Sequence, residues 1–158
     1  MSQRKSVAIN LPGQPPLTLM SLVLDFNGTL GQDGSLLPGV RPRLRKLGRR
    51  LRLFVATADT FGTATESFEG LPVEIKFVKT GAEKLRFLEH LGPSRVMAIG
   101  NGRNDIPMIR KAAIGVAVVG PEGAAGELVA AADIVVRDIR DALDLPANPL
   151  RLTATLRK

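Results

Sequence analysis

Apolar positions in this chain gather into short, nearly continuous runs, and between them the apolar residues recur at helical spacing. Leu22-Val23-Leu24, residues 51–56, 95–99 and 114–119, and the short Ile134-Val135-Val136 read as strands buried on both faces, whereas residues 73–78 alternate and are expected at a sheet edge. Between these runs, Val40, Leu44, Leu47 and Leu51 form one helical stripe, and residues 81–91 form another with Leu85, Phe87, Leu88 and Leu91 facing inward. Shorter helical pieces are expected at 61–68, 106–112, 123–131 and 139–143. Pro38-Gly39 opens the first helix, where Pro42 still falls in the first turn, and Gly92-Pro93 stops the helix of 81–91. Strand–helix alternation with short connections predicts an α/β fold, a doubly wound Rossmann-like three-layer sandwich with a mainly parallel sheet.

Ahead of the first buried strand, two strand-like pieces flank Leu11-Pro12-Gly13-Gln14-Pro15-Pro16, so residues 1–20 read as an N-terminal β-hairpin. Gly31-Gln32-Asp33-Gly34-Ser35 reads as a small surface flap, and residues 146–158 as a tail. At 158 residues the chain is expected to be one domain with a single sizeable core.

Composition narrows the chemistry. No Cys, Trp or Tyr is present, which excludes disulfides and thiolate metal sites. The longest apolar stretch is too short to span a bilayer, and no signal-peptide core follows the basic Met1-Ser2-Gln3-Arg4-Lys5, so a cytoplasmic protein without a membrane partner is expected. The net charge of +7 is densest at Arg41, Arg43, Arg45, Lys46, Arg49, Arg50 and Arg52. These residues surround the apolar stripe of the first helix. They read either as its solvated face or as a landing surface for a polyanion. Without aromatics to stack bases, nucleic acid is not expected as a partner.

Three strands end in polar or Gly-rich segments: Asp25-Phe26-Asn27-Gly28-Thr29, Thr57-Ala58-Asp59 and Gly100-Asn101-Gly102-Arg103-Asn104-Asp105. Open α/β sheets bind ligands outside the carboxyl ends of their strands, where these segments fall. Lys84 lies in the first turns of its helix. A carboxylate, a hydroxyl, an ammonium and an acidic, amide-rich loop suit phosphoryl transfer. The carboxylate accepts the phosphoryl group as an aspartyl-phosphate, the hydroxyl and ammonium hold its oxygens, and a divalent cation neutralises the remaining charge.

In order and spacing these segments resemble the four motifs of the haloacid dehalogenase superfamily, over roughly residues 22–136. Within it the chain is most similar to the phosphorylation domain of P-type ATPases and their soluble relatives. Thr57-Ala58-Asp59 resembles the Thr-Gly-Asp of the pumps, and Asn104-Asp105-Ile106-Pro107-Met108 with Ile114-Gly115-Val116-Ala117 resembles their Asn-Asp-Ala-Pro segment and the strand after it. The resemblance implies a Mg2+-dependent phosphoester hydrolase or phosphotransferase. Asp25 is its nucleophile, and Gly28, Thr57, Ala58, Lys84 and Asn104 contact the substrate. Asp25, the Asn27 carbonyl, Asn101 and Asp105 hold the metal. The substrate is a phosphorylated small molecule or macromolecule.

Two positions depart from the family pattern. Asn27 stands where phosphatases of the superfamily carry a general acid/base Asp, and an amide does not shuttle protons, so hydrolysis is expected to be slow. Asn101 stands where the family has a metal-binding Asp, so metal binding is expected to be weak. The alternative is a catalytically weak module that binds phosphate or a partner. The gaps at 29–38 and 78–84 are too short for a cap domain. Capless relatives act on large substrates or borrow a neighbouring subunit as a lid, which implies a homo-oligomer with the hairpin as its contact element. The remaining polar residues near these motifs have simpler readings: Asp59 orders the Thr57 loop, Lys79 is solvated, and His90 lies on the surface without a catalytic role.

Overall fold

The computed structural model describes residues 4–158, and the first three residues of the expected hairpin segment lie outside them. β1 (Val7–Ile9) and β2 (Leu17–Leu19) pair antiparallel as that hairpin. β3 (Ser21–Leu24) is buried along its whole length. After it come the small antiparallel flap, β4 (Gly31–Gln32) and β5 (Ser35–Leu36), and α1 (Val40–Leu47). The chain continues through β6 (Arg52–Thr57), α2 (Ala64–Ser67), β7 (Val73–Phe77), α3 (Gly81–Leu91), β8 (Val96–Gly100) and α4 (Ile106–Lys111). It ends with β9 (Ile114–Val118), α5 (Gly126–Ala131), β10 (Ile134–Val136), α6 (Ile139–Ala147) and α7 (Pro149–Leu156).

Six strands form one sheet in the order β10-β9-β8-β3-β6-β7, every neighbouring pair parallel. The chain winds outward from β3 through β6 to β7, which is an edge as expected, and then returns to the other side of β3 at β8. The order therefore reverses between β3 and β8, and the crevice at such a switch point is where open α/β sheets place their ligands. Alternation along each strand divides the core into two layers. Leu22, Leu24, Leu53, Val55, Met97 and Ile99 face α1, α6 and the hairpin. Val23, Phe54, Ala56 and Ala98 face α3, α4 and α5. Among the described residues, no cap domain interrupts this three-layer sandwich.

Phe26 fixes how the chain leaves β3. It is wholly buried and stacks edge-on against Phe68 with ring centroids 4.9 Å apart. Its ring also lies so close to Gly31 that a Cβ there would come within 2.6 Å of it. Phe26→Ala is expected to cost about 3–5 kcal/mol and to lower Tm by about 10 °C or more, read by calorimetry.

Several elements differ from expectation: α2 is confined to Ala64–Ser67 of the expected 61–68, and α5 begins at Gly126 rather than 123. In α3 the buried positions are Lys84 and Leu88, and Leu85, expected inward, is only half-buried. α6 runs to Ala147 rather than stopping at 143, and α7 takes up most of the tail. Pro146 sits inside α6 at the expense of a backbone hydrogen bond, but Ile139, Leu143 and Leu145 are buried there, and their burial outweighs that loss. Among the described residues, no helix is long and apolar enough to cross a membrane.

Candidate active site

β3 delivers Asp25 to the carboxyl rim of the sheet, where its backbone N–H donates to Ile99 O at 3.0 Å. The turn that follows depends on Gly28, whose φ is +80°; a Cβ at this position would collide with the Asn101 amide. α3 places Lys84 directly beneath the same rim. The Lys84 ammonium donates to Asp25 Oδ1 at 2.8 Å and to Asp105 Oδ1 at 2.6 Å, and it is 1% exposed, which separates it from the exposed Lys79. Thr80 caps the first turn of α3 by accepting from the Glu83 N–H, fixing the helix that carries Lys84.

The loop after β8 closes on Asp105. Its Oδ2 accepts from the N–H groups of Asn101, at 3.2 Å, and Gly102, at 3.0 Å. A Cβ on Gly100 would lie 2.5 Å from that same oxygen, so the carboxylate packs directly onto the strand end. Asp105, expected as a metal ligand, thus has both oxygens hydrogen-bonded within the protein, one to Lys84 and one to its own loop.

Thr29, part of the first motif segment but given no role of its own in the sequence, joins the two halves of the site. Its wholly buried hydroxyl lies 3.1 Å from Asp25 Oδ2 and 3.2 Å from Asn101 Oδ1. Asn101 is oriented by donating its amide Nδ2 to Gly123 O at 3.2 Å. The available sequence signal was the Gly28-Thr29 step directly after the strand that ends at Asp25.

Thr57 ends β6, the strand beside β3, and is buried. Its oxygen accepts from the Asp59 N–H at 2.9 Å, which leaves the hydroxyl proton free for another acceptor. Asp59 orders this loop as expected, taking the N–H groups of Thr63 and Ala64 on one oxygen, both at 3.0 Å, from a left-handed φ of +55°. Ala58 and Asn104 are exposed at the same rim. His90 is exposed near the end of α3.

Burial raises the Asp25 carboxyl to about 6. Asp105 adds to the rise, while Lys84 and Thr29 pull against it. Burial also pulls the Lys84 ammonium down, but the two carboxylates beside it outweigh that and hold it above the ordinary lysine value. The site therefore carries two carboxylates against one ammonium, an excess of negative charge enclosed in protein.

The donors suit a hard divalent cation. Asn27 Oδ1 is a buried acceptor without a hydrogen-bond partner, and the oxygens of Asp25 and Asn101 approach the same Thr29 hydroxyl. No cluster of three His, Cys, Asp or Glu is present among the described residues, so any such cation would rest largely on neutral amide oxygens. Beside the site opens a recess of about 390 Å3, walled by Thr29, Val118, Pro121, Arg137 and Arg140.

A family model described as haloacid dehalogenase-like hydrolase matches residues 42–142, a stretch that holds Thr57, Lys84 and Asp105 but begins after Asp25. An uncharacterized protein of Methanocaldococcus jannaschii is 46% identical over 86 residues, covering 50% of this chain and 92% of that one. Among solved structures, the 3-deoxy-D-manno-octulosonate 8-phosphate phosphatase of Moraxella catarrhalis, in complex with magnesium, phosphate and its sugar acid, superposes with a TM-score of 0.62. It is 17% identical, over 86% of this chain and 90% of that one. The cobalt-bound phosphatase of the same name from Haemophilus influenzae gives a TM-score of 0.65 at 13% identity, over 89% and 94%. At these identities the likeness is one of fold.

Proposed function

Because the chain belongs to the haloacid dehalogenase-like hydrolases, we propose that it is a phosphoester hydrolase or phosphotransferase with Asp25 as the phosphoryl acceptor. The observation that carries this reading is the buried Lys84 ammonium between Asp25 and Asp105, at 2.8 and 2.6 Å, at the switch point of a parallel sheet. A buried charge triad is a costly arrangement for a purely structural purpose.

In the proposed reaction a carboxylate oxygen of Asp25 attacks phosphorus, and the P–O bond to the substrate breaks, the departing alkoxide taking its proton from solvent. Water then attacks the aspartyl-phosphate, giving up a proton to solvent, which releases phosphate and restores Asp25. Lys84 holds the equatorial oxygens of the phosphoryl group, and the Thr57 hydroxyl donates its unused proton to them. Thr29 keeps the Asp25 carboxylate aligned. Asp105 holds Lys84 in place and shapes the loop. A Mg2+ ion held by Asp25, Asn27 and Asn101, with Asp105 nearby, would neutralise charge on the phosphoryl oxygens. The recess beside Thr29 is assigned to the organic part of a small substrate, the enzymes of Moraxella and Haemophilus being named for a sugar-acid phosphate. The test is chemical trapping: reduction of the quenched enzyme with borohydride should convert Asp25, and no other residue, to homoserine. Turnover that leaves no mark at Asp25 overturns the assignment.

Asn27 Oδ1 is in place to accept a hydrogen bond but has no proton to exchange. Asn27→Asp is expected to accelerate breakdown of the phosphoenzyme by about 10²-fold or more, read as a shorter decay of trapped label. An unchanged decay would show that another group already takes the proton from the attacking water.

A further inference from the structure

Three residues of the basic cluster at 41–52 are held in different places, whereas Arg45, Lys46, Arg49 and Arg50 are exposed. Arg41 donates to the carbonyls of Glu69 and Ser67, and Arg43 pairs with Asp144 at 3.0 Å. Arg52 belongs to a different assembly. Met20 N–H donates to Arg95 O at 2.9 Å and Arg52 N–H to Met20 O at 3.0 Å, so these three residues form a row at the amino ends of β3, β6 and β8. The four residues of β3 lie between Met20 and Asp25, so five residue steps separate this row from Asp25 by about 16 Å.

Two recesses open at the row. One, of about 360 Å3, lies on the α3 side between Arg52, Lys76, His90 and Arg95. The other, of about 530 Å3, lies between Ser94 and the Pro15-Pro16 turn of the hairpin. Arg4, Met20 and Arg95 line both, so they adjoin. Four cations face them, Arg4, Arg52, Lys76 and Arg95. Glu74 is the one carboxylate among the lining residues, at 3.8 Å from Arg52 and 3.9 Å from Lys76. Other contacts hold the cations without neutralising them: Arg52 lies 4.9 Å over the Phe54 ring, Lys76 5.7 Å over Phe87, and Arg95 3.5 Å from the Met20 sulfur.

Basic residues at helix ends are explained by the helix dipole, but Arg4 and Arg52 are not on helices. A second copy of the chain would bring the same positive walls together. Single-stranded nucleic acid would find no ring on which to stack a base, because Phe54 is 1% exposed and Lys76 covers Phe87. Adjoining recesses of small-molecule size with arginine forks suit a compact, multiply charged anion. We propose that the amino edge of the sheet binds a chain of two or three phosphates, free or carried by a nucleotide, at a site separate from Asp25.

The experiment is calorimetric titration with inorganic tripolyphosphate and, in parallel, with ATP, in chelator and at low salt, on wild type, Arg4→Ser/Arg95→Ser and Asp25→Asn. Saturable binding is expected in wild type and in Asp25→Asn, weakened about tenfold or more in the double variant, whose phosphatase rate is unchanged. Equal affinity for the two probes assigns the site to the free chain, and tighter ATP binding assigns it to a nucleotide. Absence of saturable binding, equal affinity in the double variant, or loss in Asp25→Asn overturns the proposal. Survival of binding in Asp25→Asn keeps this result independent of the reaction proposed above.

Discussion

Asp25→Asn is expected to lower phosphoester turnover by about 10⁴-fold or more, because the amide cannot form the acyl phosphate and the remaining donors only bind the substrate. The same variant should change how stability depends on pH in chelator. In the unfolded chain Asp25 titrates near 3.8, and in the fold near 6. Between those values the folded protein binds the proton more tightly, so the contribution of Asp25 to stability is fully present below about pH 4 and is lost as the pH rises through 6. A shift of this size corresponds to about 3 kcal/mol. The variant should lack that decline, so the difference in unfolding free energy between variant and wild type grows from pH 4 to pH 7. Turnover surviving in the variant would remove Asp25 from the chemistry. A constant difference in stability would show that its carboxyl titrates normally.

The second large effect is expected at Lys84. Lys84→Met keeps the length of the side chain and removes the only ammonium among the described residues that touches Asp25 and Asp105. Two neighbouring buried carboxylates are left without a counter-charge, at a cost of about 3–5 kcal/mol near neutral pH. Removal of Lys84 takes away the positive charge that holds the Asp25 carboxyl down, so the variant should recover stability as the pH falls and a proton enters the pair. Activity should fall about 10²–10³-fold with the loss of a donor to the phosphoryl group. Thermal unfolding of the variant across pH 4.5–8 reads the first effect and steady-state kinetics the second. A variant as stable as wild type at pH 8 would mean that the two carboxylates do not interact.

The sheet and the strand that carries Asp25 were legible because both rest on local signals: runs of apolar residues of strand length, each ended by a polar residue or Gly. Asp25, Thr57 and the loop to Asp105 stand where those signals end. Lys84 was readable only in part. Its spacing from Leu88 puts it in the buried stripe of α3, yet a lysine there is ordinary unless two carboxylates arrive from other strands. Those partners are 59 and 21 residues away in the chain. Thr29 was passed over because its part comes from a contact with Asn101, 72 residues distant. The same holds for Arg4 and Arg95, which the strand order brings together. The end of α6 was misjudged because a proline argues locally against a helix, whereas the burial that decides the matter is tertiary.

Both amides that set this site apart are followed by glycine, Asn27-Gly28 and Asn101-Gly102. In a loose chain an Asn-Gly step is the one most prone to lose ammonia, because the glycine nitrogen can swing onto the side-chain carbonyl. Here neither nitrogen is free to do so. Gly28 N–H donates to Gly31 O at 2.8 Å, and Gly102 N–H donates to Asp105 Oδ2 at 3.0 Å. The bonds that shape the two loops also slow their chemical ageing. A protein stored partly unfolded would therefore exchange its two neutral amides for charged or isomerised residues, and its catalytic character would drift with time rather than with ligand.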